Sequence, residues 1–431
     1  MLSLLLSACG GGSGDNASEP PPPAPTPTSV PVPGTHNGTI DTIGTAEFSL
    51  RYGVERYDFV WSPSAPATHY ELWEDPDGPG PLPEAQAGAA LTGTRHTFEI
   101  KQLHQRVNAT YRLRECTGTS CTFRATTLTP DVLRAHFLFD RQGSSVLAPF
   151  NPTAGTPVLV SADLKTLVIG APDPVSTTTL PRPAPAVDDS AVHVFVRSAV
   201  GEAWQPQAQL QASNRRAPAC NNVAQDYCHS SSFGAQLALS ADGNTLAVSA
   251  TGETSNARGV NGDQANTDSL AAGAVYIFTR TGGKWSQQAY VKASNTPARN
   301  NTWCNLSYWA TLPCDGQNFG ASLALSADGN LLAVGATGDD SKSTGVNGDA
   351  NDTSAAFAGA VHTYVRTGST WAPQAYLKAS NTDAGDGFGT SVSLSADGST
   401  LAVGAIFERS SATGVGGNQS DNAQSPFGAV Y

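Results

Sequence analysis

No stretch beyond the first residues approaches the length needed to cross a bilayer as a helix, about 20 apolar residues. Positive charge is scarce: only 14% of the 431 residues are charged and the formal net charge is −12. Phosphate binding requires clustered Lys and Arg, so nucleic acid and anionic membrane surfaces are excluded as partners. Catalytic signatures are missing as well. The histidines at 36, 69, 96, 104, 136, 193, 229 and 362 share no repeat position and form no His-x-x-x-His pair. There is no Gly-x-Ser-x-Gly elbow, no phosphate-cradling loop ahead of a helix and no ligand-spaced Cys/His cluster. The chain therefore reads as a non-enzyme. Helical periodicity is absent from the long C-terminal part, which excludes a helical repeat there.

What is present instead is repetition. Residues 319–379 read FGASLALSADGNLLAVGATGDDSKSTGVNGDANDTSAAFAGAVHTYVRTGSTWAPQAYLKA, and related text begins at Phe233 and Phe388 and, more worn, near Ala154. The starts are spaced by 79, 86 and 69 residues, a repeat architecture. Within a unit the apolar period is two. Ala321–Leu325 alternates, Asp328-Gly329-Asn330 breaks the run, and Leu331–Gly335 returns. Asp-Gly between alternating runs predicts a hairpin, because tight hairpin turns need positive φ. Gly359–Arg366 and Trp371–Ala379 supply a third and a fourth strand around a Thr-Gly turn. Four antiparallel strands per tandem unit predict the blades of a β-propeller. A run of separate β-sandwich modules is the poorer alternative, since the strands of one unit total only about 30 residues, too few to bury a core alone.

Phe-Gly at the unit start, followed by Leu-Ala-Val-Gly-Ala and Gly-Ala-Val-Tyr-Ile-Phe-Thr-Arg, resembles the FG-GAP repeats of integrin α-subunit propellers. The Gly-Val-Asn-Gly-Asp loop and the Tyr-Leu-Lys-Ala-Ser-Asn ending are similar to bacterial FG-GAP proteins. The resemblance covers about residues 154–431 and implies a propeller that binds a partner through one face. One departure stands out: the family's Asp-x-Asp-x-Asp-Gly calcium loop is reduced here to a plain Asp-Gly hairpin.

The rest of the chain divides readily. Residues 1–9, MLSLLLSAC, resemble a lipoprotein signal in which Cys9 would be lipidated; no basic residue precedes the apolar run. Residues 10–44 are a Gly/Ser/Pro-rich tether, whose proline-rich part at ~3.1 Å per residue would span roughly 40–50 Å. Residues 45–130 carry alternating runs at Phe59–Trp61, His69–Trp73 and Ala109–Arg114. An early Trp61 and a late Tyr111 resemble a fibronectin type III sandwich, with Trp61 in the core and Tyr111 on the tyrosine-corner strand. Residues 131–153 are a junction in which Ala135–Asp140 form a candidate strand. Residues 154–431 are the repeat blades, the last of them incomplete.

Setting Cys9 aside leaves Cys116 and Cys121, Cys220 and Cys228, and Cys304 and Cys314, each a close pair within its own loop. Six cysteines allow several pairings, but local spacing favours nearest-neighbour disulfides in an oxidising envelope over a zinc site.

In a four-strand meander the loop between strands two and three emerges at the same end as the link to the next unit. Both are long here: Ala250 to Gly273, Ala336 to Gly359 and Ala405 to Gly428 each span 23 positions. The opposite end has only tight turns. Loops on a rigid scaffold carry binding sites, so the long-loop face is the expected binding face.

Three columns recur in those loops: a carboxylate (Glu253, Asp339, Glu408), a serine two residues later (Ser255, Ser341, Ser410), and Asp263, Asp349 or Asn418 ten residues past the carboxylate. Asp339, Asp349 and Asp352 make a candidate Ca²⁺ ligand set, because that ion takes many oxygen ligands. Turn capping by Asp, Asn and Ser is the preferred alternative, since the strict EF-type spacing is absent. On that alternative, replacing Asp339 and Asp349 together leaves stability unchanged. Phe233, Phe319 and Phe388 are expected to seat each blade on its neighbour, and Trp204, Trp285 and Trp371 to open the outer strands.

The expected protein is thus all-β, a fibronectin-like spacer carrying an FG-GAP propeller. It is anchored to the envelope through lipid alone and contacts extracellular protein or glycan. Two other readings stay open: a propeller polysaccharide hydrolase or lyase, and a structural envelope protein without a specific ligand.

Overall fold

The computed structural model describes residues 42–53, 56–65, 67–100, 103–132, 157–172, 190–215, 219–220, 228–229, 231–269, 271–297, 316–422 and 428–431. Cys9, the tether through residue 41, Ala135–Asp140, the start near Ala154, Cys304 and Cys314 lie outside them. Among the described residues every extended element is a β-strand, and no helix is long and apolar enough to cross a membrane.

The N-terminal part folds as two antiparallel sheets. One has the order β1 (Thr42–Gly44), β2 (Phe48–Gly53), β3 (Arg56–Trp61), β6 (Arg95–Glu99). The other runs β5 (Ala85–Gln86), β4 (His69–Asp75), β7 (Thr110–Thr117), β8 (Ser120–Leu128). The alternation predicted for these runs is obeyed: β3 buries Tyr57, Phe59 and Trp61 and turns Arg56, Asp58 and Val60 outward. Trp61 is a core residue, packed at 5.5 Å on the ring of Tyr70. Tyr111 is fully buried, but its hydroxyl donates to the Glu74 side chain at 2.7 Å, where a tyrosine corner would bond to backbone. Glu74 is simultaneously paired with Arg106. Cys116 and Cys121 form the expected disulfide across the β7–β8 hairpin.

Four sheets follow in series. The worn first repeat is a complete one: β9 (Val158–Val160), β10 (Thr166–Ala171), β11 (Ala191–Val196) and β12 (Gln205–Leu210). The second comprises β15 (Phe233–Leu239), β16 (Thr245–Ala250), β17 (Ala274–Thr281) and β18 (Lys284–Val291). The third comprises β19 (Phe319–Leu325), β20 (Leu331–Ala336), β21 (Ala360–Thr367) and β22 (Thr370–Leu377). The fourth has β23 (Phe388–Leu394), β24 (Leu401–Ala405) and β25 (Ala429–Val430). Between the first two sheets, β13 (Ala219–Cys220) pairs with β14 (Cys228–His229) and sets Cys220 opposite Cys228 in register. The series is consistent with a propeller-like arrangement, and no sheet closes on itself.

Each Ser-Ala-Asp-Gly turn is built by its own side chains. In the second repeat the Ser240 hydroxyl donates to Asp242 at 2.5 Å, and Asp242 accepts the amide of Asn244 at 2.9 Å. Ser326 with Asp328, and Ser395 with Asp397, repeat the pattern. The Ser395 hydroxyl and the Ser399 amide hold the Asp397 carboxyl down to about 2. Successive turns are also joined to one another: Ala162 donates to Ala241, Ala241 to Ala327 and Ala327 to Ala396, each at 2.9 Å. In the worn copy Leu164 takes the positive φ that Gly243, Gly329 and Gly398 hold elsewhere.

Because period two gives every strand two faces, the second and third sheets each bury one face against the preceding sheet and one against the next. Phe319, Leu332, Val334 and Tyr364 share a core with Ala247, Val275 and Ile277 of the sheet before. Ala333 and Val361 pack forward with Phe388 and Val403. The three phenylalanines do seat each repeat on its neighbour, as expected. They sit at a bulge, where the glycine that follows (Gly234, Gly320 or Gly389) has positive φ. At Gly359, with φ 80°, an added Cβ would lie 2.1 Å from the Phe388 carbonyl oxygen. Gly359→Ala should therefore cost well over 2 kcal/mol in urea unfolding, by strain plus backbone collision. Gly368→Ala, with φ 63° and no atom within 4 Å of the added carbon, should cost only the left-handed penalty of about 1–2 kcal/mol.

Candidate functional site

The long loops leave the ends of β16, β20 and β24 and return at Gly273, Gly359 and Gly428, on the edge opposite the turn ladder. Their bases are buried and their tips exposed. Asp339 is fully buried, and Glu253 and Glu408 nearly so. Asp263, Asp349 and Asn418 are exposed. The six residues expected to mark one binding face thus divide into two groups with different chemistry.

The buried carboxylates are hubs. Lys378, at the end of the outer strand, donates to Asp339 at 3.0 Å, and both side chains are fully buried. Tyr376 donates its hydroxyl to the same oxygen at 2.7 Å, the Ser341 amide donates at 3.1 Å, and Asn295 from the preceding repeat donates to the other oxygen at 2.8 Å. The second repeat builds the same object: Lys292 to Glu253 at 2.7 Å, the Ser255 amide to Glu253, and Asn214 of the preceding repeat to Glu253 at 3.0 Å. In the fourth, Glu408 accepts from the Ser410 amide and from Asn381, both at 3.0 Å. Burial depresses the ammonium pKa of Lys292 and of Lys378, and the facing carboxylate opposes the effect. Each Lys-Ala-Ser-Asn segment therefore does two jobs. Its lysine neutralises the carboxylate of its own repeat, and its asparagine reaches the carboxylate of the next.

Beyond the hub, the loop is laced back to its own outer strand. Asn347, at positive φ, donates its amide to Tyr376 O at 2.7 Å and accepts the Tyr376 amide on its side chain at 3.0 Å. Asn261 does the same with Tyr290. At the tips, Asp263 caps Ala265, Asp349 caps Asn351 and Asn418 caps Ser420. This is the local turn capping preferred from the sequence. Val346 and Val415 stand out beside them, 63% and 106% exposed.

Asp339, Asp349 and Asp352 do not come together. Among the described residues, the set of His, Cys, Asp and Glu ligand atoms lying within 4.8 Å of one another is His69, Glu71, Cys116 and Cys121, and its two cysteines are disulfide-bonded. Asp352 instead accepts the Lys342 amide at 2.7 Å and the Ser354 hydroxyl at 3.0 Å. The expectation that Asp339 and Asp349 can be replaced together without loss is corrected by the hub: only Asp349 is a surface cap.

The outer-strand tryptophans bind neighbours. The Trp285 indole N–H donates to Gln207 and that of Trp371 to Gln288, each at 2.9 Å and each into the preceding sheet. Arg280 and Arg366 lie over the two rings at 5.3 and 5.6 Å.

One hub is incomplete. The third residue of the inner run Ala-Val-x is Tyr276 in the second repeat, His362 in the third and Tyr431 in the fourth. The Tyr276 and Tyr431 hydroxyls donate to the side-chain oxygens of Asn214 and Asn381. The shorter imidazole leaves both His362 Nε2 and the Asn295 side-chain oxygen buried without a hydrogen-bond partner. Full burial lowers the His362 pKa to about 4, with nearby Asp339 opposing the fall and Lys378 reinforcing it.

The hub lysines and asparagines were missed from the sequence. The signal was there: Glu253 to Lys292 and Asp339 to Lys378 are both 39 residues apart, and Ala-Ser-Asn recurs at 212–214, 293–295 and 379–381. A family model described as FG-GAP repeat matches residues 371–431, from the outer strand of the third repeat through the fourth. No relative is found among curated proteins.

Lys378→Met should cost about 3–5 kcal/mol in urea unfolding, because it strands the Asp339 carboxylate in the interior. Lys378→Met with Asp339→Leu should regain only part of that loss, because the Ser341 amide, the Tyr376 hydroxyl and the Asn295 side chain then lose their acceptor, and Asp349→Ala should stay within about 0.5 kcal/mol of the parent. His362→Tyr should gain about 1–3 kcal/mol by satisfying Asn295. The sign of the pH effect follows from the depressed imidazole. Between pH 6.5 and about 4 the unfolded chain takes up a proton that the folded chain refuses. Stability is therefore lost as pH falls through that window, by up to roughly 3 kcal/mol. Urea titrations across it should show a shallower decline for His362→Tyr than for the parent.

Proposed function

We propose that this chain is an extracytoplasmic, lipid-anchored binding or adhesion protein. In this reading the repeat sheets are blades of an FG-GAP-type propeller whose long-loop edge contacts an extracellular protein or glycan. The observation that carries it is the division of labour within each loop. The base is locked by a buried carboxylate hub and the middle is laced to the outer strand, while the tip presents Asp, Asn and an exposed valine and contributes nothing to the core. Loops held this way meet a partner without paying ordering entropy on contact, which favours affinity.

The remaining parts of the reading have independent support. A lipobox-like Leu6-Ser7-Ala8-Cys9 followed by a proline-rich stretch suits a tethered lipoprotein. A disulfide between Cys116 and Cys121 suits an oxidising compartment. The strand orders β1-β2-β3-β6 and β5-β4-β7-β8, with Trp61 buried between the sheets, favour a fibronectin type III-like domain. A match to a repeat family over residues 371–431 favours binding over turnover.

Arrays of extracellular proteins and glycans probed with the chain should give saturable binding to a narrow set, without release of soluble sugar. Asp263→Ala, Asp349→Ala, Asn418→Ala and Val346→Ser combined should abolish that binding with the melting temperature unchanged. Release of sugar fragments would move the protein to the hydrolase or lyase class, and absence of any binding would leave it a structural envelope component.

A further inference from the structure

We infer that the N-terminal sandwich is a cap on the repeat array, seated on the first repeat as a preceding repeat would be. Later interfaces share a pattern. The backward face of the sheet receives the sheet before it, Tyr276 and Tyr431 at the third position of the inner Ala-Val-x run donate to Asn214 and Asn381 of the preceding repeat, and the tryptophans of the second and third repeats donate into the sheet before. The first repeat has no sheet before it, yet its backward face is not bare. Leu167, Ile169 and Phe195, which align with Leu332, Val334 and Tyr364, lie in one continuous core with the sandwich.

The two polar positions are filled as well. His193 occupies the column of Tyr276 and His362, and its ring stacks on His104 of the sandwich at 4.1 Å between centroids, with the planes 8° apart. Trp204 occupies the column of Trp285 and Trp371. Its backbone N–H donates to the Asn108 side-chain oxygen at 2.9 Å, and its carbonyl accepts the Asn108 amide N–H at 2.7 Å. At later interfaces Gln207 and Gln288 also hold the next tryptophan, there through its indole N–H. The sandwich thus reproduces the apolar cover, the ring partner and the tryptophan partner, each with residues of its own.

The consequence is topological. A propeller that closes on itself must lay its last blade on the backward face of its first. In this protein that face is occupied by residues 103–108 and the sandwich core behind them, so a further blade reaches it only by displacing the sandwich.

Gln205 is exposed at the edge of this junction, beside Pro79 and Asn108. A photo-crosslinking phenylalanine derivative placed there in the full chain should capture residues 74–82 or 104–108. The same probe at Ala372, the matching exposed position of the third repeat, should capture residues 274–291 of the second and thereby validates the geometry. Capture at position 205 of any residue C-terminal to Phe388, or no capture while the Ala372 probe reports, would overturn the cap. Either result leaves the loop-tip binding assay unaffected, so this inference and the proposed function can fail separately.

Discussion

A lysine ammonium fully removed from water, facing a carboxylate equally removed, is the interaction on which the loop architecture depends. Desolvating both charges costs several kcal/mol per ion, and the mutual attraction repays this only when remaining lone pairs and protons are satisfied. At Asp339 they are: one oxygen takes Lys378, Tyr376 and the Ser341 amide, and the other takes Asn295. An apolar substitute of similar volume would cover as much surface. It would not fix the Ser341 amide, the Asn295 side chain and the outer strand against one another, and that fixation is what the loop needs.

The two edges of the repeat sheets solve opposite problems. At the tight-turn edge, serine and aspartate satisfy one another within each turn, and alanine amides link one turn to the next. Tryptophan, arginine and glutamine fasten the outer strands between sheets. These contacts, with the bonds from the Phe319 and Phe388 amides to the loop-end carbonyls of Ala272 and Ala358, hold the series together without help from the loop tips. The loop tips are thereby released from structural duty, and their sequence can be set by a partner. His362 is where this economy is broken: the phenol of the neighbouring repeats is replaced by a ring that cannot reach Asn295, and a buried donor–acceptor pair is left open.

Much of the fold was legible because local chemistry dictated it. Asp328-Gly329 fixed a hairpin and Thr367-Gly368 another, and the strands between them alternate as a half-buried sheet must. The worn first repeat was recognisable from Ser161-Ala162-Asp163 at the turn, although Leu164 stands there in place of the glycine. The tip residues cap amides two positions on, a local chemistry that their residue types already suggest. The hubs were not legible in the same way. Their partners sit 39 residues along the chain or in the preceding repeat, and alternation marks Lys378 only as one more polar residue at a strand end. The docking of the sandwich was hidden for a related reason. Leu167 and Ile169 show that a face is buried, but not whether a blade or another domain covers it.

Amide hydrogen exchange tests the central claim, that each long loop is rigid at its base and open at its tip. Ser255 and Ser341, whose amides donate to buried carboxylates, should exchange as slowly as residues in the middle of β16 and β20. Gly282, in the exposed hairpin turn at the opposite edge, and Asp349, at the exposed loop tip, should exchange orders of magnitude faster. Uniformly fast exchange from Thr337 to Ala358, base and tip alike, would contradict the account, because the buried hub would then be doing nothing to hold the loop.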